Sequence, residues 1–351
     1  MWPYWIFFGL FAVGALSTRP DLRQGQQQSL LLFGLPALIV MIGLRDWVGV
    51  DWANYLKAWR AAEYMSLGKF LEFRPGDSLF YTILWGMRAI DWPYWALNLF
   101  CAVIFSYGLV QFSRKQPNAW LGAAVAVPYL VIVIAMSGIR QATAIGFIFL
   151  ALVQFKRGNS TGFVLLTLTA ALFHASAIVV LPFAGLSLTA NRFQSTILLV
   201  VCGAVAYYTF GETFSGYTRD YLTTYSQSSS GTIYRLVMNV VPAIFYLLLN
   251  KRLPFAERER TLWRNFSWLA IASVPLLFVI ASSSALDRLL LYAYPLQIMM
   301  LAWLPYLFRA QNQKPVVFAI LAYLALQQFV FLNYATHAHR YIPYRNVIFS
   351  D

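Results

Sequence analysis

The chain has 351 residues, of which 60% are hydrophobic, 17% aromatic and only 11% charged. Soluble domains keep about a quarter of their residues charged, so this composition excludes a soluble enzyme and fits a single integral membrane domain over 1–351. The net charge of +13 does not indicate nucleic acid, because Lys and Arg are scattered between apolar runs; an anionic lipid or lipid-linked partner fits it better.

In chain order, WPYWIFFGLFAVGAL has neither a basic leader nor a small-residue cleavage site, and it reads as a first helix at 4–17, not a signal peptide. Apolar runs follow at 29–44, 93–112, 118–136, 139–155, 161–173, 175–188, 194–210, 233–250, 265–283, 289–308 and 315–333. The expectation is an all-α polytopic integral membrane protein of about 12 transmembrane helices. Basic turns at Arg19/Arg23, Arg114/Lys115, Lys156/Arg157, Arg192, 251–264 and Arg309/Lys314 can all be placed in the cytoplasm, which leaves both termini outside.

Two stretches fit that count only as irregular elements. SLFYTILWGMRAI, 78–90, is short and carries Arg88, so it reads as re-entrant or half-spanning; 161–188 reads as a bent hairpin with His174 at its outer tip. Pro36, Pro128, Pro182, Pro242, Pro275, Pro295 and Pro305 each remove a backbone hydrogen bond, and such breaks mark either cavity walls or ordinary kinks. The outer loops 45–77 and 211–232 are expected to contribute to a site, the second as a lid through its SQSSSGT turn. Cys101 and Cys202 sit inside apolar runs as small buried side chains, with no disulfide framework and no metal spacing.

The outer ends of the apolar runs carry Arg45, Arg140, Arg235 and Arg288. Ser137 and Thr232 read as N-caps with Arg140 and Arg235 at the third helical position, and Ser284 with Asp287 resembles a capping box ahead of Arg288. An arginine in a first helical turn opposes the helix dipole, and a bound phosphate would resolve the conflict by using amides and guanidinium together. The other reading is that each arginine snorkels or pairs locally, Arg288 with Asp287.

His174 is either a satisfied core histidine or a general base, since imidazole ordinarily titrates near neutrality. His337 and His339 are too sparse for a metal site. Asp46 and Asp51 beside Trp47, Trp52 and Tyr55 offer the carboxylates and ring faces that a sugar needs, with interfacial anchoring as the competing reading. No Gly-rich phosphate loop or D-x-D pair calls for a nucleotide or a metal.

GLRDWVGVDWANY (43–55), MSGIRQATAIGFIFLAL (136–152), ALFHASAIVVLP (171–182), LDRLLLYAYP (286–295) and YIPYRNVIF (341–349) resemble, in order, the motifs of the EpsG branch of the Wzy-type polysaccharide polymerases. Val50 stands where that family usually has threonine and Trp52 where it has tyrosine, so a sugar contact through that hydroxyl is missing here. The resemblance implies a bacterial inner-membrane glycosyltransferase of GT-C-like architecture whose site faces the periplasm. It would join oligosaccharide units carried on undecaprenyl pyrophosphate into exopolysaccharide or O-antigen, without a cofactor, among membrane lipids, with a chain-length regulator protein as a candidate partner.

Arg45, Asp51, Arg140, His174, Asp287 and Arg288 occupy matching motif positions. The roles expected are pyrophosphate binding for Arg140 and Arg288, then Arg45 and Arg235. His174 is the expected base with Asp51 as the alternative, and Trp47, Trp52, Tyr55, Asp46, Asp287 and Tyr292 are expected to contact sugar. The reaction would be metal-independent and inverting. The rival readings are an O-antigen ligase or other lipid-linked-sugar glycosyltransferase, and a flippase or transporter for the same lipid, which would be expected to show internal symmetry and charges through the membrane depth.

Overall fold

The computed structural model describes residues 1–18, 23–73, 77–182, 200, 231–279, 287–288 and 290–349. Nearly all of 194–210, most of the 211–232 loop, and Arg19, Arg192, Cys202 and Ser284 lie outside them. Among the described residues there is no strand, only an isolated bridge between Arg45 and Asn346. A chain this apolar satisfies its backbone polar groups within each segment, and the helix does that.

Helix α1 is Trp2–Leu16, and α2 is the apolar helix Gln24–Gly43, with a π turn at Leu30–Gly34 ahead of Pro36. Three short helices follow: α3 (Trp52–Ala62), α4 (Leu67–Phe73) and α5 (Ser78–Ala89). The bundle continues with α6 (Tyr94–Ser113), α7 (Ala119–Ala135, π-wound from Val127), α8 (Ile139–Lys156) and α9 (Ser160–Phe173). It closes with α10 (Thr232–Leu249), α11 (Glu257–Val279), α12 (Tyr294–Trp303) and α13 (Ala310–Tyr334).

Five helices among the described residues are long and apolar enough to cross a membrane: α2, α6, α8, 233–252 and α13. Three shorter apolar helices, α1, α7 and α9, stand beside them. The expected count of about twelve spans is not reached in these residues. The run expected at 265–283 begins earlier as a helix with charged first turns, and that at 289–308 is a ten-residue helix flanked by 3-10 turns at Leu291–Ala293 and Leu304–Leu307. α5 has 12 residues, about 18 Å of helix, too short to cross. Trp85 of α5 donates to the Met65 carbonyl at 2.9 Å, and Arg88 bonds Glu63 and Asp91, so both flanks of α5 stay with the short helices.

Long-range hydrogen bonds sort the helix ends. At one end the Tyr4 hydroxyl donates to the Tyr341 carbonyl at 2.6 Å, Gln328 donates to the Tyr4 carbonyl, and Trp52 packs edge-on to Tyr94. At the other, Asn118 donates to the Ala15 carbonyl, Gln27 to that of Arg114, Lys156 pairs with Glu259 and Arg258 reaches Ser160. α3, α4 and α5 therefore cap the first end, and the basic turns Arg114/Lys115, Lys156/Arg157 and 251–264 gather at the second.

The centre is packed at backbone distance. α6 and α8 cross at Gly108 and Gly146, where a Cβ on Gly108 would stand 2.1 Å from the Gly146 carbonyl oxygen. Gly108→Ala is therefore expected to lower stability by about 1–3 kcal/mol through forced helix separation. Gly9→Ala, with nothing within 4 Å of its Cβ, is expected to leave the thermal midpoint in detergent unchanged or raised. Equal behaviour of the two variants would refute this packing.

Candidate active site at one end of the bundle

α8 begins at Ile139 with Gly138 as its N-cap residue, so Ser137 is not the helix cap that the sequence pattern predicts. A second partner competes for its hydroxyl. Ser137 Oγ accepts from the Asp51 amide at 3.2 Å and donates to the Asp51 carboxylate at 3.1 Å. Three residues on, in the first turn of α8, Arg140 Nη1 donates to Asp77 Oδ2 at 2.7 Å and Nε to the Tyr55 hydroxyl at 3.4 Å. The guanidinium carbon lies 5.6 Å and 5.4 Å from the ring centroids of Tyr55 and Tyr81, a favourable place for a cation.

α9 ends at Phe173, and the chain leaves the helix at His174 before a 3-10 turn, Ala175–Val179. That break turns the imidazole toward α5. His174 Nδ1 lies 3.1 Å from the same Asp77 Oδ2, and the Ala175 amide donates to Oδ1 at 2.9 Å. His174 Nε2 is buried with no hydrogen-bond partner among the described residues. Ser176 donates to the Tyr292 hydroxyl at 3.3 Å.

Asp77 is thus the hub. Its side chain is 9% exposed against 31% for Arg140, which places the acid inside and the cation toward the opening. Burial pushes the Asp77 carboxyl up, but the hydrogen bond and charge of His174, the Arg140 guanidinium and the Ala175 amide outweigh it and hold the group below the ordinary carboxylate range. The Tyr55 phenol is pushed up to about 12, by burial first and against the pull of Arg140.

Arg235 and Asp287 form an ion pair, 2.5 Å apart, so Asp287 meets an arginine far along the chain. α10 starts at Thr232 itself, with Gly231 before it at φ +106°, so Thr232 is not the cap either. Tyr292, four residues past Arg288, is bonded to Ser176, two residues past His174, so this segment lies beside the turn that carries the imidazole.

Arg45 sits elsewhere. It is 1% exposed, and its donors go to the carbonyls of Ile42, Val48 and Met136 and to Asn98, with Trp52 beneath it at 5.5 Å. The Ile42 and Met136 carbonyls belong to the ends of α2 and α7, whose dipoles present negative charge to the guanidinium. The pyrophosphate role expected for Arg45 falls on a side chain that is buried.

Of the expected sugar-binding rings, Trp52, Tyr55 and Tyr292 are buried, and Trp47 alone presents an open face, 56% exposed beside Trp52. Asp46 and Trp47 lie on a loop pinned by the C-terminal tail, whose Arg345 carbonyl accepts from the Asp46 amide.

Asp77 and Tyr81 escaped sequence reading. RPGDSLF looks like a turn before a half-helix, yet an acid in a chain with only 13 Asp and Glu and 26 Lys and Arg is a natural counter-charge for an arginine set in an apolar run.

A model of the EpsG family matches residues 29–346. No curated protein and no solved structure matches the chain.

Because the folded Asp77 carboxyl titrates below its unfolded value near 3.9, it stabilises the fold above that range, and the contribution is lost as pH falls through the folded value. The gap in thermal midpoint between wild type and Asp77→Asn should narrow as pH falls below about 4. A gap left unchanged by acidification through that range would contradict the Arg140–Asp77–His174 arrangement.

Proposed function

The chain belongs to the EpsG family, and on that premise we propose that it is a polysaccharide polymerase that transfers an oligosaccharide from undecaprenyl pyrophosphate to a hydroxyl of a second lipid-linked unit. The observation that carries the reading is Asp77 joining Arg140 to His174 at the capped end of the bundle. It sets a candidate base beside a candidate diphosphate ligand, and glycosyl transfer from a diphosphate needs both. The leaving diphosphate carries its charge away and needs cations more than a proton.

Arg140 fits that task through the donors that Asp77 and Tyr55 leave over, since a guanidinium has five N–H groups. Arg288 and the Arg235–Asp287 pair supply a second positive flank. His174 takes the proton from the acceptor hydroxyl through Nε2, with Asp51 as the other carboxylate at hand. Trp47 offers a stacking face to sugar. Attack opposite the diphosphate inverts the anomeric centre.

The basic turns at the far end of the bundle support a cytoplasmic placement there, and with it a site facing the periplasm of a bacterial inner membrane. Lipid tails would enter from the side, and a chain-length regulator would act on the growing polymer.

The purified protein given only defined undecaprenyl-pyrophosphate-linked oligosaccharide should make ladders on a gel. His174→Ala should slow elongation by about 10²–10⁴-fold and Arg140→Ala by about 10²–10³-fold, while lipid-linked substrate still reaches the outer leaflet in cells. Ladders that appear only with a different acceptor would make it a ligase, and substrate trapped inside variant cells would make it a flippase.

A further inference from the structure

We propose that Asp77 is a positioning residue for the transfer: its carboxylate fixes the proton of His174 on Nδ1 and so leaves the Nε2 lone pair to act as the base. The inference rests on His174 being that base. The geometry allows one consistent assignment. A carboxylate oxygen only accepts, so the nitrogen 3.1 Å from Asp77 Oδ2 bears hydrogen, and neutral imidazole then has its lone pair on Nε2. Nε2 is the ring nitrogen with no protein partner among the described residues.

The carboxylate is itself immobilised from the other side. Arg140 holds Oδ2 at 2.7 Å and the Ala175 amide holds Oδ1 at 2.9 Å. Asp77 also adopts φ +50°, a conformation sparsely used by residues other than glycine and one that the surrounding bonds must maintain. α5, α8 and the turn after α9 are thereby tied to a single side chain, and the imidazole plane is set by it.

In the step so positioned, the acceptor O–H proton passes to His174 Nε2, and the acceptor oxygen forms a bond to the anomeric carbon. The bond from that carbon to the diphosphate oxygen breaks, its electron pair stays on the diphosphate, and Asp77 keeps its negative charge beside the imidazolium. Nothing is oxidised or reduced.

Histidine-selective ¹⁵N labelling of the wild-type protein in nanodiscs reads the tautomer directly, with the His174 signals identified by their loss in His174→Ala. The expected result is the Nδ1–H form; an Nε2–H form overturns the proposal without use of any Asp77 variant. In elongation assays Asp77→Asn should lose about 10²–10⁴-fold in kcat with a smaller change in KM, and Asp77→Glu should recover at least part of it.

The double variant Asp77→Asn/His174→Ala should be no slower than His174→Ala alone, because one residue acts through the other. Losses that multiply would make Asp77 a purely structural ion pair and refute the positioning role. His174→Ala with wild-type elongation would instead sink the base assignment itself, whereas an inactive His174→Ala beside a fully active Asp77→Asn would sink only the role given to Asp77.

Discussion

A cation inside an apolar bundle has to find its counter-charge there, because leaving water costs several kcal/mol per ion. In this protein the two solutions to that problem set the geometry of the candidate site. Arg45 is neutralised without a carboxylate, by the carbonyl ends of α2 and α7 and the face of Trp52. Arg140 is neutralised by Asp77. The first solution encloses the guanidinium at 1% exposure and makes a clamp; the second leaves the cation 31% exposed and open to a ligand.

The clamp places the loop that follows it. Gly49 lies against the Met136–Ser137 backbone at φ +104°, where a Cβ would stand 1.9 Å from the Met136 carbonyl oxygen, and only glycine fits. Asp51 is thereby brought to Ser137. The C-terminal tail closes the arrangement from outside: the Gly49 amide donates to the Arg340 carbonyl at 2.9 Å and the Val347 amide to that of Leu44 at 2.8 Å. Tyr341 and Tyr344 donate to the Val133 and Met41 carbonyls. The ends of α2 and α7 thus find their hydrogen bonds in residues some 200 to 300 positions away, as buried carbonyls require. The three residues other than glycine with positive φ, Trp47, Asp77 and Asp91, all belong to this cap among the described residues.

Much of this was legible in the sequence, and the part that was not has a definable cause. The apolar runs located α6, α8, α9 and α13 closely, because a membrane-length helix is a local property of composition. The reading of 78–90 as a short, non-crossing segment followed from its length and Arg88. Helix starts were less readable. Ser137 was an acceptable cap by type, but Asp51, 86 residues away, holds its hydroxyl, and Gly138 takes the cap position. Sequence distance offers Asp287 only its neighbour Arg288 as a partner, whereas the fold also brings it Arg235. Arg45 and Arg140 looked alike, both arginines at the end of an apolar run in a charged and aromatic motif. Only the aim of neighbouring helix ends separates a clamp from a ligand. Asp77 was invisible for the same reason, since its partners stand 63 and 97 residues away.

The depth order of the hub has a chemical consequence. With the carboxylate innermost and the guanidinium outermost, the diphosphate of the proposed donor would meet Arg140 before it meets Asp77. The aromatic walls of Tyr55 and Tyr81 lower the local dielectric around the cation and strengthen its pull. In the proposed reaction Arg140 would serve both partners at once, because Asp77 takes one edge of a five-donor fork. A lysine at this position would hold the carboxylate or the diphosphate as a point charge, with no rigid fork to present separate edges to both, which is a physical reason for arginine at 140.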